Sequence, residues 1–296
     1  MRLLLLGALL LSAAGGARAL ETAQFLKIGI GARELAMGES GAAMADAADA
    51  LYWNPAGLSR AESREVAVSH AELTLATRLD HISLAQPSAA GVFGAGITYL
   101  SQSALDGRDA LGHPTGGFSA SDAAVSVAFA RKSELLDAGA SVKYLRSHIG
   151  SSEAEGAAID AGVKRAFGAL TVAAAARNLG PGMKFGGETD DLPLQLAFGA
   201  GWRFAGGHAL AAEIVDAPRG GGVDAGFGGE YQALKGVYLR GGYTTQTSVM
   251  NGSGFDAARG LTLGLGLRNA RWRFDYAALP AGELGTSHRF TLGARF

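Results

Sequence analysis

The sequence contains no cysteine. That excludes disulfide scaffolds, thiolate metal sites, cysteine nucleophiles and a lipid-modified cysteine. It also lacks a dominant charge: 26 basic residues face 27 acidic ones, and charged residues are only 18% of the chain. With no basic field, nucleic acid is not an expected partner. Beyond the first residues there is no apolar run approaching the ~20 residues that a membrane-spanning helix needs. Signatures of chemistry are missing too. The six histidines form no HExxH and no i, i+4 ligand pair, and no G-x-S-x-G elbow occurs. No catalytic residue, metal site or cofactor is therefore expected, and an enzyme is not the reading.

What is plentiful is glycine, 45 of 296 residues, about double the usual ~7%. Hydrophobic residues are 48%, enough apolar surface to exclude a disordered chain. The N-terminus carries Arg2, an apolar stretch from Leu3 to Ala14, and the small-x-small site Ala17-Arg18-Ala19. This pattern predicts a secretory signal peptide over residues 1–19.

From about Glu65 onward the hydropathy has period two. Trp272, Phe274 and Tyr276 alternate with Arg271, Arg273 and Asp275, and Leu261, Leu263, Leu265 and Leu267 alternate with Thr262, Gly264, Gly266 and Arg268. A strand sends successive side chains to opposite faces, so each such segment has one greasy and one polar face. The segments predict fourteen strands: 65–72, 78–86, 91–101, 121–131, 137–147, 156–166, 168–178, 192–203, 207–217, 223–233, 236–246, 258–268, 270–279 and 287–296. Most have the length of a tilted membrane-spanning strand, about 9–11 residues, rather than the ~5–6 of a globular one. Connections mostly alternate between short ones, such as Phe167 and Asn269, and longer ones at 102–120, 148–155, 179–191, 218–222, 247–257 and 280–286, although the first, 73–77, is brief. Tight turns at one end and long loops at the other mark a barrel of the bacterial outer membrane, with both chain ends on the periplasmic side. Phe296, in register with Ala294, Leu292 and Phe290, ends the chain on an aromatic residue, as such barrels commonly do.

If the greasy faces meet lipid, the ionic faces line the lumen. Lys143, Asp160, Lys164, Asp224, Glu230, Arg271 and Arg295 fall on that face, as do the candidate ligand residues Arg240, Arg268, Arg273, Asp275 and Arg289. Arginine binds carboxylates through paired hydrogen bonds, so this track suits an anionic head group; the same charges could equally form a salt-bridged, rigid lumen. Glycines inside strands leave room for a plug. Leu105, Leu111, Phe118, Met183, Phe185, Met250 and Phe255 lie in the longer loops, where they suit either an external apolar surface or a packed cap.

Residues 20–62 do not alternate. An alanine-rich stretch from Gly41 to Ala50 predicts a short helix, which must stop before Asn54-Pro55. The segment is too small for a domain and is expected to form a hatch inside the barrel, with residues 63–296 as the wall. Asn54, Pro55, Ala56 and Gly57 form a turn that either anchors this hatch or acts as a gate contact.

At these residues the chain resembles a known family. The run FLKIGIGARELAMGESGAA over 25–43, followed by Tyr52-Trp53-Asn54-Pro55-Ala56-Gly57-Leu58, looks like the start of PorV/PorQ proteins. That family is similar in architecture to FadL, the fatty-acid transport barrel, which also carries an Asn-Pro-Ala motif near its N-terminus. The resemblance implies an all-β fold: a fourteen-stranded antiparallel transmembrane barrel with a short N-terminal helical hatch. Two functions follow. One is passage or binding of a hydrophobic or amphipathic small molecule, such as a fatty-acid-like ligand, through a gated lumen. The other is a type IX-type secretion component or docking scaffold for exported proteins. Outer-membrane lipid is a partner in both.

Overall fold

The computed structural model describes residues 21–73, 76–108, 111–185, 187–220, 222–245, 260–280 and 285–296. The signal-peptide expectation and Met250 and Phe255 lie outside them. Alternation translates directly into strands. β1 (Glu65–Glu72), β2 (Thr77–Pro87), β3 (Val92–Arg108), β4 (Pro114–Arg131), β5 (Asp137–Ile149), β6 (Ser152–Phe167) and β7 (Leu170–Leu179) form one half of the wall. β8 (Met183–Phe185) and β9 (Glu188–Asp190) form a separate small hairpin. β10 (Gln195–Arg203), β11 (Ala209–Ala217), β12 (Gly222–Leu234), β13 (Val237–Thr244), β14 (Leu261–Arg268), β15 (Trp272–Pro280) and β16 (Thr286–Arg295) form the other half. The fourteen wall strands make one closed antiparallel barrel, in which β1 pairs with β16 from Glu65↔Arg295 to Glu72↔His288.

Closure has a physical reason. Lipid offers no partner to an unpaired strand edge, so a sheet in a bilayer must pair its last strand with its first. The faces sort accordingly: Leu265 is 51% exposed and Trp272 46%, whereas Arg273, the next residue along β15, is 7% exposed and turned inward. Lipid-facing aromatics collect near the strand ends, with Trp202, Phe204, Phe167 and Trp272 at the tight-turn end and Tyr99 and Tyr144 towards the other, as in outer-membrane girdles. Among the described residues no helix is long and apolar enough to cross a membrane; the crossing is made by strands.

Three expectations need correction. The β3–β4 ladder runs on to Arg108↔Pro114, so most of the expected loop 102–120 is paired strand. β5 and β6 likewise pair out to Ile149↔Ser152, which leaves a tight turn in place of a loop over 148–155. In both, the sequence does not alternate apolar with polar residues, so the ladder gives no period-two signal. Within the expected loop 179–191, the β8–β9 hairpin buries Met183 completely, so this residue belongs to the interior rather than to an external apolar surface.

The lumen is filled by residues 21–62. Glu21 bridges Asp191 at the long-loop end, and the chain then passes through the barrel to join β1 at the tight-turn end. On the way it forms α1 (Ala32–Ala36), α2 (Ala50–Trp53) and three short 3-10 turns at Gln24–Lys27, Ala47–Asp49 and Pro55–Arg60. Trp53 Nε1 donates to Ile30 O at 2.7 Å and Tyr52 Oη to Leu26 O at 3.1 Å, which folds the segment back on itself. Glycine lets it fit. A Cβ on Gly228 or Gly242 would strike the backbone of Met37 or Gly38, and one on Gly162 would strike the Asn54 side chain.

Candidate functional site

Inside the barrel the hatch meets two different environments. Towards the long loops it is held by apolar packing. Phe25, Leu26, Ile28 and Ile30 cluster with Leu79, Ala124 and Leu145 of the wall and with Met183 and Leu192 around the small hairpin. All are buried, and burying such a side chain is worth about 1.5–3 kcal/mol.

Towards the tight turns the hatch is held by charge. Alternation aims Glu230 of β12, Arg240 of β13, and Arg273 and Asp275 of β15 into the lumen, and α1 delivers Arg33 to them. Arg33 forks onto Glu230 through Nε at 2.9 Å and Nη2 at 3.0 Å. Arg240 reaches Glu230 at 2.7 Å and Asp275 at 2.7 Å. Arg273 joins Asp275 at 3.3 Å, Asp49 of the hatch at 2.6 Å and Glu65 at 3.4 Å, and Glu65 also pairs with Arg295 at 2.8 Å. Gly266 and Gly293 on neighbouring strands leave the volume that the guanidiniums of Arg240 and Arg273 occupy. A second knot ties Asp46 to Lys164 at 2.8 Å and to Arg203 at 2.7 Å. Against the upward push of burial, those two cations hold the Asp46 carboxyl below its ordinary value. Below this network a cavity of about 430 Å³ opens at the tight-turn mouth, lined by Arg33, Glu34, Asp49, Arg60, Arg203, Glu230, Arg268 and Arg273 among others. Burial, reinforced by Asp49, pushes the Glu34 carboxyl up to about 7.

Four of the five sequence-derived ligand candidates thus come together: Arg240, Arg273 and Asp275 in the ion-pair chain, and Arg268 beside it with its guanidinium 5.4 Å from the Tyr238 ring. Arg289 does not join them. It lies further along β16, buried beneath hatch residues Gly29–Leu35, and its Nε and Nη1 have no hydrogen-bond partner among the described residues. Arg271, expected on the lumen face, instead sits in the β14–β15 turn with its guanidinium over the rings of Trp272 at 5.8 Å and Phe296 at 5.5 Å.

The Asn-Pro-Ala-Gly turn lies against the wall. Asn54 Oδ1 accepts from Ala56 N at 3.0 Å and caps the 3-10 turn that begins at Pro55. Its Nδ2 donates to Ala42 O at 3.1 Å within the hatch and to Val163 O of β6 at 3.2 Å. Gly57 packs under the Ala45 carbonyl, close to Lys164 Nζ. Sequence reasoning missed the hatch's own charges: Arg33, Glu34, Asp46 and Asp49. A signal was present, since a buried Ala/Gly-rich segment has little reason to carry charge except to meet charge in the wall.

Comparison with solved structures places this architecture. The fold is that of FadL-like barrels of the bacterial outer membrane. The Pseudomonas putida toluene transporter TodX superposes with a TM-score of 0.63 at 15% identity, over 93% of this chain and 97% of that one. The CymD monoaromatic hydrocarbon channel gives 0.60 at 13% identity, over 90% and 98%. A Pseudomonas aeruginosa FadL homologue gives 0.60 at 12% identity, over 91% and 98%. No family model and no curated protein matches the chain.

Proposed function

We propose that the protein passes hydrophobic or amphipathic small molecules across the outer membrane, with the N-terminal segment as the gate. The observation that carries this reading is the apolar column in the outer half of the lumen. Phe25, Leu26, Ile28 and Ile30 occupy it through non-directional packing, which an apolar solute of similar size can replace. The ionic anchors lower down keep the rest of the hatch in place meanwhile. The named cargo of the structural neighbours, toluene and monoaromatic hydrocarbons, has the size and polarity of such a solute. Below the column, the charged cavity gives an amphipathic molecule a polar stage before the periplasm. The likeness of residues 25–58 to PorV/PorQ proteins motivates a second reading, a docking scaffold for exported protein, which the plugged lumen favours. Uptake of labelled toluene and decanoate by cells making the barrel tests both. Transport requires uptake above that of cells lacking it, altered by Phe25→Trp, which overfills the column. Absence of uptake together with a stoichiometric co-purifying protein favours docking.

A further inference from the structure

The cavity at the tight-turn mouth holds a positive charge that its own carboxylates do not match. Six arginines line it. Among the described residues, five of them have carboxylate partners: Arg33 with Glu230, Arg60 with Asp137, Arg203 with Asp46, Arg273 with Asp49 and Arg295 with Glu65. Arg268 has no carboxylate at ion-pair distance among the described residues, and its Nε is buried without a hydrogen-bond partner. The wall carboxylates that act on it are already engaged, Glu230 by Arg33 and Arg240, and Asp275 by Arg240 and Arg273. Arg33 and Arg273 add positive charge of their own to its surroundings.

Alternation along β14 fixes where this guanidinium points. Leu263, Leu265 and Leu267 are exposed to lipid, whereas Thr262, Gly264 and Gly266 are buried on the lumen face that Arg268 shares. Its guanidinium lies 5.4 Å from the ring of Tyr238, which also lines the cavity, and its backbone N–H donates to Gly236 O at 2.8 Å. The volume of about 430 Å³ falls within the range of small-molecule sites, about 300–1,000 Å³. The hatch walls one side of the cavity through Arg33, Asp49 and Arg60, and the barrel walls the other through Arg203, Arg268 and Arg273. Most of the lining is charged, so a hydrocarbon tail finds little to pack against, and a small water-soluble anion fits better.

We propose that this cavity binds one small oxyanion of the periplasm, a carboxylate or a phosphate, on Arg268, and that the bound anion ties the hatch to the wall. A guanidinium presents paired N–H donors that match two oxygens of either group. Because the hatch forms one side of the pocket, its departure dismantles the site, and the anion stabilises the plugged state by mass action. The site does not depend on what the lumen conducts.

Isothermal titration calorimetry of the full barrel in mild detergent, at matched ionic strength, tests it with inorganic phosphate, succinate and decanoate as probes. The expected result is one phosphate or one succinate per barrel, bound about tenfold more weakly by Arg268→Gln, with slower tryptic cleavage of the hatch at Arg60 when the anion is present. Whichever small anion binds identifies the source of the oxyanion. Arg165→Gln, which removes a rim arginine stacked on Phe167, leaves the affinity at the wild-type level. Binding of neither small anion overturns the proposal, and so does binding of decanoate alone, which assigns Arg268 to the head group of a lumenal solute. Equal affinity in wild type and Arg268→Gln, or cleavage unchanged by the anion, overturns it as well. Should Arg268→Gln not fold, Ala61→Trp, which fills the cavity from the hatch side, must lose the small anion; retention at the wild-type level refutes the site.

Discussion

The two halves of the lumen hold one continuous peptide by opposite means. Near the long loops, Phe25, Leu26, Ile28 and Ile30 are kept by packing with no preferred direction. Near the tight turns, Arg33, Asp46 and Asp49 are kept by short, directional ion pairs to the wall. Packing tolerates exchange of one apolar group for another, whereas a buried charge deprived of its partner does not. The upper half is thus replaceable and the lower half is anchored, a division that suits the gate we propose.

The sharpest way to break this contrast is Glu230→Ala, which strands Arg33 and Arg240 in the interior. Loss of one partner of a buried pair costs about 3–5 kcal/mol, read as a lower urea midpoint for the barrel in detergent. Phe25→Ala comes next, at about 3 kcal/mol for a buried Phe→Ala change, but confined to the upper half. Trypsin should then cut at Lys27 well before the wall unfolds, and equal protection in variant and wild type would mean that the packing does not hold this segment. Asn54→Ala removes a cap, for about 1–2 kcal/mol, together with the bond to Val163 O; it should release the hatch's middle while Lys27 stays protected.

The last expected effect is pH-dependent. Burial raises Glu34 and Glu39 to about 7, against an unfolded value near 4.3. A carboxyl raised on folding contributes stability that is complete below the unfolded value and is lost as pH rises through about 7. Protease protection of the hatch should therefore decline from about pH 4 to about pH 7 and level off above that, and Glu34→Gln with Glu39→Gln should flatten the profile.

Much of the wall was legible because a membrane strand shows two solvents at once: Trp272, Phe274 and Tyr276 against Arg273 and Asp275 leave no doubt about register. Legibility ended where the alternation did. The upper parts of β3 and β4 pair without alternating apolar and polar residues, so their ladder leaves no trace in hydropathy, and the β8–β9 hairpin is too short for a period to register. In the site, inward arginines followed from alternation, but their partners did not. Asp49 and Arg33 belong to a segment without periodicity, and only the closed barrel brings them within 3 Å of Arg273 and Glu230.

The bare glycine positions of the wall, Gly162, Gly228 and Gly242, have a consequence for assembly. They form a mould taken from one particular casting, with recesses at the heights of Asn54 and Met37. A stopper borrowed from another barrel of equal bore would find these recesses in the wrong places. The stopper and its vessel are thus matched as a pair.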